Sequence, residues 1–237
     1  MNVDRRRRLL VTASLAALVA TAAAPAAADT TTRPPRQDAQ LAIVKARAHA
    51  EVDRRETALT ALNTRVSAAT RLDPGHKTTL QGQISTAASG LQSVDAKVQA
   101  DTDVAAARAD AQTIVTGYRV FVLVEPRTHI VIAADIEASA VDRLTSVAGS
   151  IDAAIAKAQA AGKDVTKAKA AVADLRLQLT TAKGSSSSAT GSVIGLTADG
   201  YPANKPTLVT ARDSLKTARA ALDKAVADAR AAVIALA

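Results

Sequence analysis

The chain has 237 residues, of which 48% are hydrophobic, 1% are aromatic and none is cysteine, and its formal net charge is +8. Without cysteine there are no disulfides, no thiolate metal sites and no thiol nucleophile, so stability must come from helix packing. Two tyrosines and one phenylalanine are too few for a base-stacking platform, which argues against a nucleic-acid-binding protein.

The first 28 residues predict a cleavable signal peptide. Four arginines at positions 5–8 precede an uncharged apolar stretch at 9–24. The small residues Ala26 and Ala28 then fit a signal peptidase, with cleavage between Ala28 and Asp29. An uncleaved anchor is the alternative, but this stretch of about 16 alanine-rich residues is shorter than the ~20 that a stable span needs.

The route of export stays open, because the arginine run followed by two leucines also resembles a twin-arginine signal. No cysteine follows the apolar stretch, which excludes a lipoprotein anchor. The first 28 residues carry four arginines and one aspartate, a net +3, so the expected mature chain carries +5. Its charges are interspersed, as on solvated helix faces, and the basic balance favours weak contact with anionic envelope polymers or lipid headgroups.

The spacing of apolar residues predicts long helices after a short extended lead at 29–35, which ends in two prolines. The first helix is predicted over 36–72. Asp73 stops this helix and can cap a second helix that begins with Pro74.

The second helix, 74–100, carries an uninterrupted heptad seam. The step at 101–103, Asp-Thr-Asp, offers an N-cap for a third helix, whose seam is predicted over 104–121. The seam of the second helix consists of Leu80, Ile84, Ala87, Leu91, Val94 and Val98.

The stretch 119–132 has two interpretations. Its β-branched residues, with a turn at 125–128, fit a hairpin, whereas the phase of the preceding seam and a helix start at Pro126 fit a helix. We favour the helix, because an isolated two-stranded hairpin is marginal without a sheet. Glu125, Arg127 and His129 interrupt the stretch, so no membrane span is expected in the mature chain.

The next helix is predicted over 126–161, ended by Gly162, and Asp164 can cap its successor. The composition of 184–188, Gly-Ser-Ser-Ser-Ser, is typical of a flexible linker. The heptad phase nevertheless survives it, so a continuous but weakened helix and a linker both stay open. That phase runs through Ala182, Ser186, Ala189, Val193 and Leu196.

Residues 197–206 are predicted as a loop and 207–236 as the last helix. The expected fold is all-α, an elongated antiparallel bundle of long, coiled-coil-like helices. Its predicted parts are the signal peptide 1–28, the lead 29–35 and one helical domain over 36–237, with a weak point at 184–206. Seams that alternate alanine with leucine or valine bury little area per position, so modest stability is expected.

We predict no catalytic, cofactor-binding or metal-binding residue. The sequence contains no Gly-rich phosphate loop, no G-x-S-x-G and no H-E-x-x-H, and the serine run has no histidine nearby. His49 and Asp53 lie at i and i+4 and could share a cation. Two ligands are a weak signal, and a solvated pair beside Glu51 and Arg54 is favoured.

The other histidines have similar structural interpretations. His76 follows the helix break and is expected to be a first-turn surface residue. His129 lies near Glu125 and Arg127 in an apolar stretch, where an interhelical polar contact is favoured over a ligand pocket. Asp135 and Glu137 are two residues apart on a helix and do not face one another.

Three segments of the chain resemble a group of uncharacterised secreted alanine-rich helical proteins of actinobacteria. They are 118–126, YRVFVLVEP, followed by His129; the Ala-Asp-Thr-Asp step at 100–103; and Tyr-Pro-Ala-Asn at 201–204, before an alanine-rich final helix. The resemblance covers most of the mature chain, with 184–188 as a local departure. It implies export and a helical fold, and it implies no activity, cofactor or functional residue.

These observations predict an exported, non-catalytic protein of the cell envelope or the medium, acting as a structural spacer or a protein-interaction module. Its partners are expected to be another protein or a second copy, bound through helix faces. The alternative is an extracytoplasmic carrier of a small ligand or a metal, using residues 118–129. A hydrolase with a site assembled across helices is the third hypothesis.

Overall fold

The computed structural model describes residues 35–237, and no strand occurs in that range, which confirms the all-α fold. The predicted cleavage site at Ala28 and Asp29 and the lead before residue 35 lie outside the described residues. The α-helices are α1 Pro35–Ala68, α2 Pro74–Ala100, α3 Val104–Thr116, α4 Glu125–Ala160, α5 Thr166–Val193 and α6 Lys205–Ile234.

Aspartates cap the early helices as predicted. Asp73 Oδ1 accepts hydrogen bonds from the backbone N–H groups of Gly75 at 2.8 Å and His76 at 3.1 Å, with Pro74 as the first residue of α2. Asp103 Oδ2 accepts from the backbone of Ala105 at 2.8 Å and of the next residue at 2.9 Å, at the start of α3. The side chains thereby satisfy amide groups that a helix start leaves unpaired.

The prediction that the third helix continues to residue 121 is wrong. α3 ends at Thr116, and Arg119 adopts a left-handed backbone with φ of +47°, which does not fit within a right-handed α-helix. The chain then forms a π-helical turn, Val120–Val124, that leads directly into α4, with Pro126 in its first turn. The helical interpretation is confirmed for residues 120–132 and not for Arg119, and the break lets the turn bury Val120 and Leu123.

The junction between α4 and α5 follows from a single glycine. Gly162 has φ of +76°, and Lys163 N–H donates to the carbonyl oxygen of Ala158 at 3.1 Å, a Schellman-type end for α4. Asp164 Oδ1 accepts from the backbone N–H of Thr166 at 2.9 Å, but the N-cap position of α5 is Val165, one residue later than the predicted cap.

α5 continues without a break through the serine run at 184–188, so the linker interpretation is wrong. Helix packing outweighs the low helix propensity of glycine and serine here, because the seam residues of this stretch are buried. These buried residues are Ala182, Ser186, Ala189 and Val193.

The buried residues form two hydrophobic cores. The first joins α1, α2, α3 and the π-helical turn to the beginning of α4, the end of α5 and the beginning of α6. The second joins the remaining parts of α4, α5 and α6. α4, α5 and α6 therefore pass through both cores, and α5 runs antiparallel to α4 and α6, which gives the predicted elongated bundle.

We call the part of α4–α6 around the second core the rod, residues 141–182 and 221–234. Seven of its fifteen core residues are alanine, so the helices approach closely but bury little apolar area per position. The full length of α4, 36 residues, corresponds to about 54 Å. Among the helices of residues 35–237, none combines the length and the apolar character that a membrane span requires.

Candidate functional site

A cleft of about 520 Å³ lies beside the break between α3 and α4. One wall comes from α2, where Gly82 leaves space and Gln83 contributes an amide. Tyr118 and Leu123 come from the break, and the chain after α5 closes the far side. The first turn of α4 places Arg127 in the same cleft. Tyr118, Leu123, Val124 and Arg127 thus bring the stretch 118–129 of the ligand-carrier hypothesis into this cleft, beside residues of α2 and of the chain after α5.

Arg127 is the unusual residue of this cleft. Its side chain is only 4% exposed, and Nη1 donates to the carbonyl oxygen of Leu196. Its Nε is buried without a hydrogen-bond partner, and no carboxylate of residues 35–237 forms an ion pair with it. Burial lowers the pKa of Arg127 to about 10, so the side chain is still a cation at neutral pH. A buried charge without a counter-charge is unfavourable in a folded protein.

Several contacts hold the walls of the cleft in place. Gln83 Nε2 donates to the carbonyl oxygen of Ile194 at 2.9 Å, while its Oε1 is buried without a partner. Asn204 Nδ2 donates to the carbonyl oxygen of Thr197 at 2.9 Å. The guanidinium of Arg119 lies 4.8 Å from the centre of the Tyr201 ring. The chain between α5 and α6 is thereby fixed against the break between α3 and α4.

His129 does not line this cleft. It projects towards α1, where Arg65 Nη1 lies 3.1 Å from its Nδ1, and its Nε2 lies 3.7 Å from Glu125 Oε1 on its own helix. The neighbouring cleft of about 400 Å³ adds Arg212 and no further carboxylate. The predicted interhelical polar contact of His129 is therefore confirmed, and its surroundings are mainly cationic.

His76 lies in an interhelical cluster that the sequence did not reveal. Its Nδ1 is 2.9 Å from Oδ2 of Asp135 on α4, and the same Oδ2 accepts the backbone N–H of Asp73 at 2.8 Å. Asp135 is 8% exposed. This carboxylate therefore anchors the start of α2 to α4, and His76 is more than the surface residue that was expected.

The same cluster brings the serine run to a histidine. Ser186 and Ser187 line a cleft of about 460 Å³ together with His76 and Asp135. The serine run has no histidine near it in the sequence, as predicted, but the fold brings His76 next to it. A nucleophile–base pair needs a hydroxyl bonded to the imidazole. Within the described residues, no hydroxyl bonds His76, and Ser186 Oγ instead donates to the carbonyl oxygen of Lys183 at 3.2 Å.

His49 pairs with two carboxylates. Its Nε2 lies 3.7 Å from Asp53, the predicted partner, and its Nδ1 lies 2.7 Å from Asp95 on α2. The hydrogen bond that the protonated imidazole donates to Asp95 and the negative charge of Asp53 raise the pKa of His49. Over residues 35–237, no group of three or more histidine, aspartate or glutamate side chains is arranged to hold a metal ion.

Glu137, two residues after Asp135 on α4, has a pKa well above its ordinary value. Its Oε2 is buried without a hydrogen-bond partner. Burial raises its pKa to about 7, and the positive charge of Arg219 opposes that rise. Burial favours the neutral form of a carboxyl group because the charged form loses its hydration.

Sequence reasoning treated Arg127 only as a charge that interrupts an apolar stretch. One signal could have revealed its burial, because Leu123, Arg127 and Ile130 are spaced four and three residues apart. That spacing continues the apolar seam, with an arginine in a seam position.

Comparisons of the chain with protein-family models, with curated proteins and with solved structures find no match.

Proposed function

We propose that the protein is an exported, non-catalytic helical protein that acts at the cell envelope as a spacer or protein-interaction module. The observation that carries this proposal is the continuity of α4, α5 and α6 through both cores. Three packed helices resist bending far better than one, so the rod can hold its two ends at a fixed distance. In support, each histidine takes part in a contact between two helices.

The proposed location follows from the signal-peptide pattern and from charge. A mature chain with a net charge of +5 would be attracted weakly to anionic envelope polymers. Mass spectrometry of the protein recovered from its native cells tests export. We expect a mature N-terminus at Asp29 in the extracytoplasmic fraction. An intact Met1 in the cytoplasmic fraction would contradict export.

The rod exposes large apolar side chains that can report a partner. Leu177 on α5 is 61% exposed and Ile234 at the end of α6 is 75% exposed. We propose replacing each with a photo-crosslinking amino acid in native cells. Ile43 on α1 is 50% exposed and is the matched control outside the rod.

We expect discrete adducts from Leu177 and Ile234, formed either with a second copy or with another envelope protein. Mass spectrometry of the adducts distinguishes self-association from a heterologous partner. Adducts from Ile43 alone would contradict the assignment of the contact to the rod. Monomer at all three positions would contradict the interaction role.

The buried cation in the cleft favours a second candidate function, carriage of a small ligand. Spacer and carrier roles are compatible, because Arg127 shares its cleft with Ala87 and Leu123 of the first core, whereas the rod is built around the second. A thermal-shift screen of the purified protein with small organic ligands tests the carrier role. A melting temperature that no ligand raises would contradict it.

A further inference from the structure

We propose that the cleft around Arg127 binds a small organic molecule that carries one carboxylate group and an apolar body, and that the Arg127 guanidinium receives the carboxylate. The inference rests on the carrier function proposed above and names the chemical class of its ligand. Three features of the cleft support it. They are the buried guanidinium of Arg127, the apolar residues in the walls and the open space beside Gly82.

The first feature becomes clear when Arg127 is compared with Arg55. Both side chains are 4% exposed. Arg55 forms an ion pair with Glu51, donates to the Glu51 carbonyl oxygen at 3.1 Å and lies 5.2 Å from the centre of the Phe121 ring. The chain thus provides a counter-charge for one buried guanidinium, whereas the protein partner of Arg127 is a neutral carbonyl oxygen.

The remaining donors of Arg127 suit a carboxylate. A guanidinium presents its N–H groups in a planar fork that matches the two oxygens of a carboxylate. Nε is buried without a partner, and Arg127 lines the cleft. An anion in the cleft would neutralise the buried charge, and ion pairing away from bulk water is stronger than at the surface.

The walls of the cleft indicate the rest of the ligand. Ala87, Leu123, Val124 and Leu196 supply apolar surface, and a volume of about 520 Å³ is in the range of small-molecule sites. Asp199 is exposed and lines the same cleft. Its negative charge disfavours ligands with two or more charges, so a monoanion fits better than phosphate.

Gly82 keeps the cleft open on the α2 side. A β-carbon at this position would meet no atom within 4 Å. A larger side chain at residue 82 can therefore occupy the cleft without disturbing the packing of α2. Gly184 on α5 also has nothing within 4 Å of an added β-carbon, and it does not line the cleft. The two glycines form a matched pair for a steric test.

The test is isothermal titration calorimetry with hexanoate, benzoate and phenylacetate, each compared with its neutral primary amide, and with inorganic phosphate. We expect at least one carboxylate to bind with Kd below about 1 mM and its amide to bind at least about tenfold more weakly, since the amide lacks the charge. Gly82→Leu should abolish the binding, and Gly184→Leu should leave it unchanged.

Arg127→Met separates a ligand role from a structural one. We expect this variant to lose carboxylate binding and to melt no lower than the wild type, because a buried charge without a counter-charge is removed. Arg55→Met should melt lower, because it leaves Glu51 without its buried partner. A lower melting temperature for Arg127→Met would make Arg127 a structural residue and would overturn the proposal.

The remaining outcomes also decide between the proposals. Absence of carboxylate binding, or binding that Gly82→Leu does not change, overturns the cleft as a carboxylate site. Equal binding of an acid and its amide keeps the carrier function and overturns the carboxylate class, as does binding of phosphate alone. The crosslinking result from the rod is independent of all these outcomes.

Discussion

The ring of Tyr118 packs directly against the backbone of Gly90, so closely that a β-carbon at residue 90 would lie 2.4 Å from Tyr118 Cε1. The contact brings the end of α3 onto α2 and places the ring in the wall of the Arg127 cleft. A glycine in the middle of a helix is ordinarily unfavourable. Here its missing side chain is what allows the ring to fit.

Substitution of Gly90 by alanine should therefore destabilise the protein. The ring must move to make space, and such overpacking typically costs about 1–3 kcal/mol. Gly184→Ala is the matched control. It should stabilise the protein by about 0.5–1 kcal/mol, because alanine is the better helix former and meets no atom. Urea unfolding of both variants measures the difference, and two equal, stabilising effects would contradict the role assigned to Gly90.

Removal of the Asp135 carboxylate should weaken the attachment of α2 to α4. Asp135→Ala leaves the backbone N–H of Asp73 and the imidazole of His76 without their acceptor, and we expect a loss of about 1–3 kcal/mol in the free energy of unfolding. Asp213→Ala removes an exposed ion pair with Lys216 and should change the free energy of unfolding by less than about 0.5 kcal/mol. Similar effects of the two substitutions would show that the interhelical cluster adds no stability.

Glu137 should make the protein less stable as the pH rises. Its pKa is about 7 in the folded protein against an ordinary 4.5. Between these values the folded state holds more protons than the unfolded state, so stability falls with rising pH.

The glutamine side chain of Glu137→Gln stays neutral at every pH, so this substitution should remove the loss of stability that accompanies rising pH. At about pH 8, we expect the variant to exceed the wild type by about 1 kcal/mol, allowing for solvent screening of a half-buried group. At about pH 4 the two should be equally stable, because the carboxyl group is then protonated in the folded state. Chemical unfolding at both pH values measures this. A stability difference that does not depend on pH would contradict the assignment.

A proline in the serine run distinguishes a helix from a linker. Ser187→Pro removes a backbone donor from the interior of α5 and should cost about 3 kcal/mol or more. Ser187→Ala keeps the donor and should be neutral or slightly stabilising. Thermal unfolding compares the two variants, and a harmless proline would mean that the run at 184–188 does not form a packed helix.

The features that could be predicted from the sequence depend on local spacing. The heptad phase placed Ser186 and Ala189 in one seam, and both are buried in a continuous α5. Likewise, the capping roles of Asp73 and Asp103 need only the two or three residues that follow them. Such patterns concern one helix at a time, and a single chain segment is sufficient to show them.

The features that could not be predicted depend on how one helix faces another. His76 and Asp135 are 59 positions apart in the chain, and their contact requires the relative register of α2 and α4. The break after α3 rests on a left-handed backbone at Arg119, a residue type with no preference for that conformation. No local pattern indicates either feature, and both shape the clefts of the first core.

Hydrogen exchange along α5 tests the proposed spacer role most directly, because α4–α6 can hold the two cores at a fixed distance only if α5 is unbroken between them. Amides of residues 184–193 should exchange as slowly as those of residues 172–182, since both stretches belong to one packed helix. Rapid exchange confined to residues 184–193, with protection on the N-terminal side, would show a hinge and would contradict the role of α5 as a rigid connection.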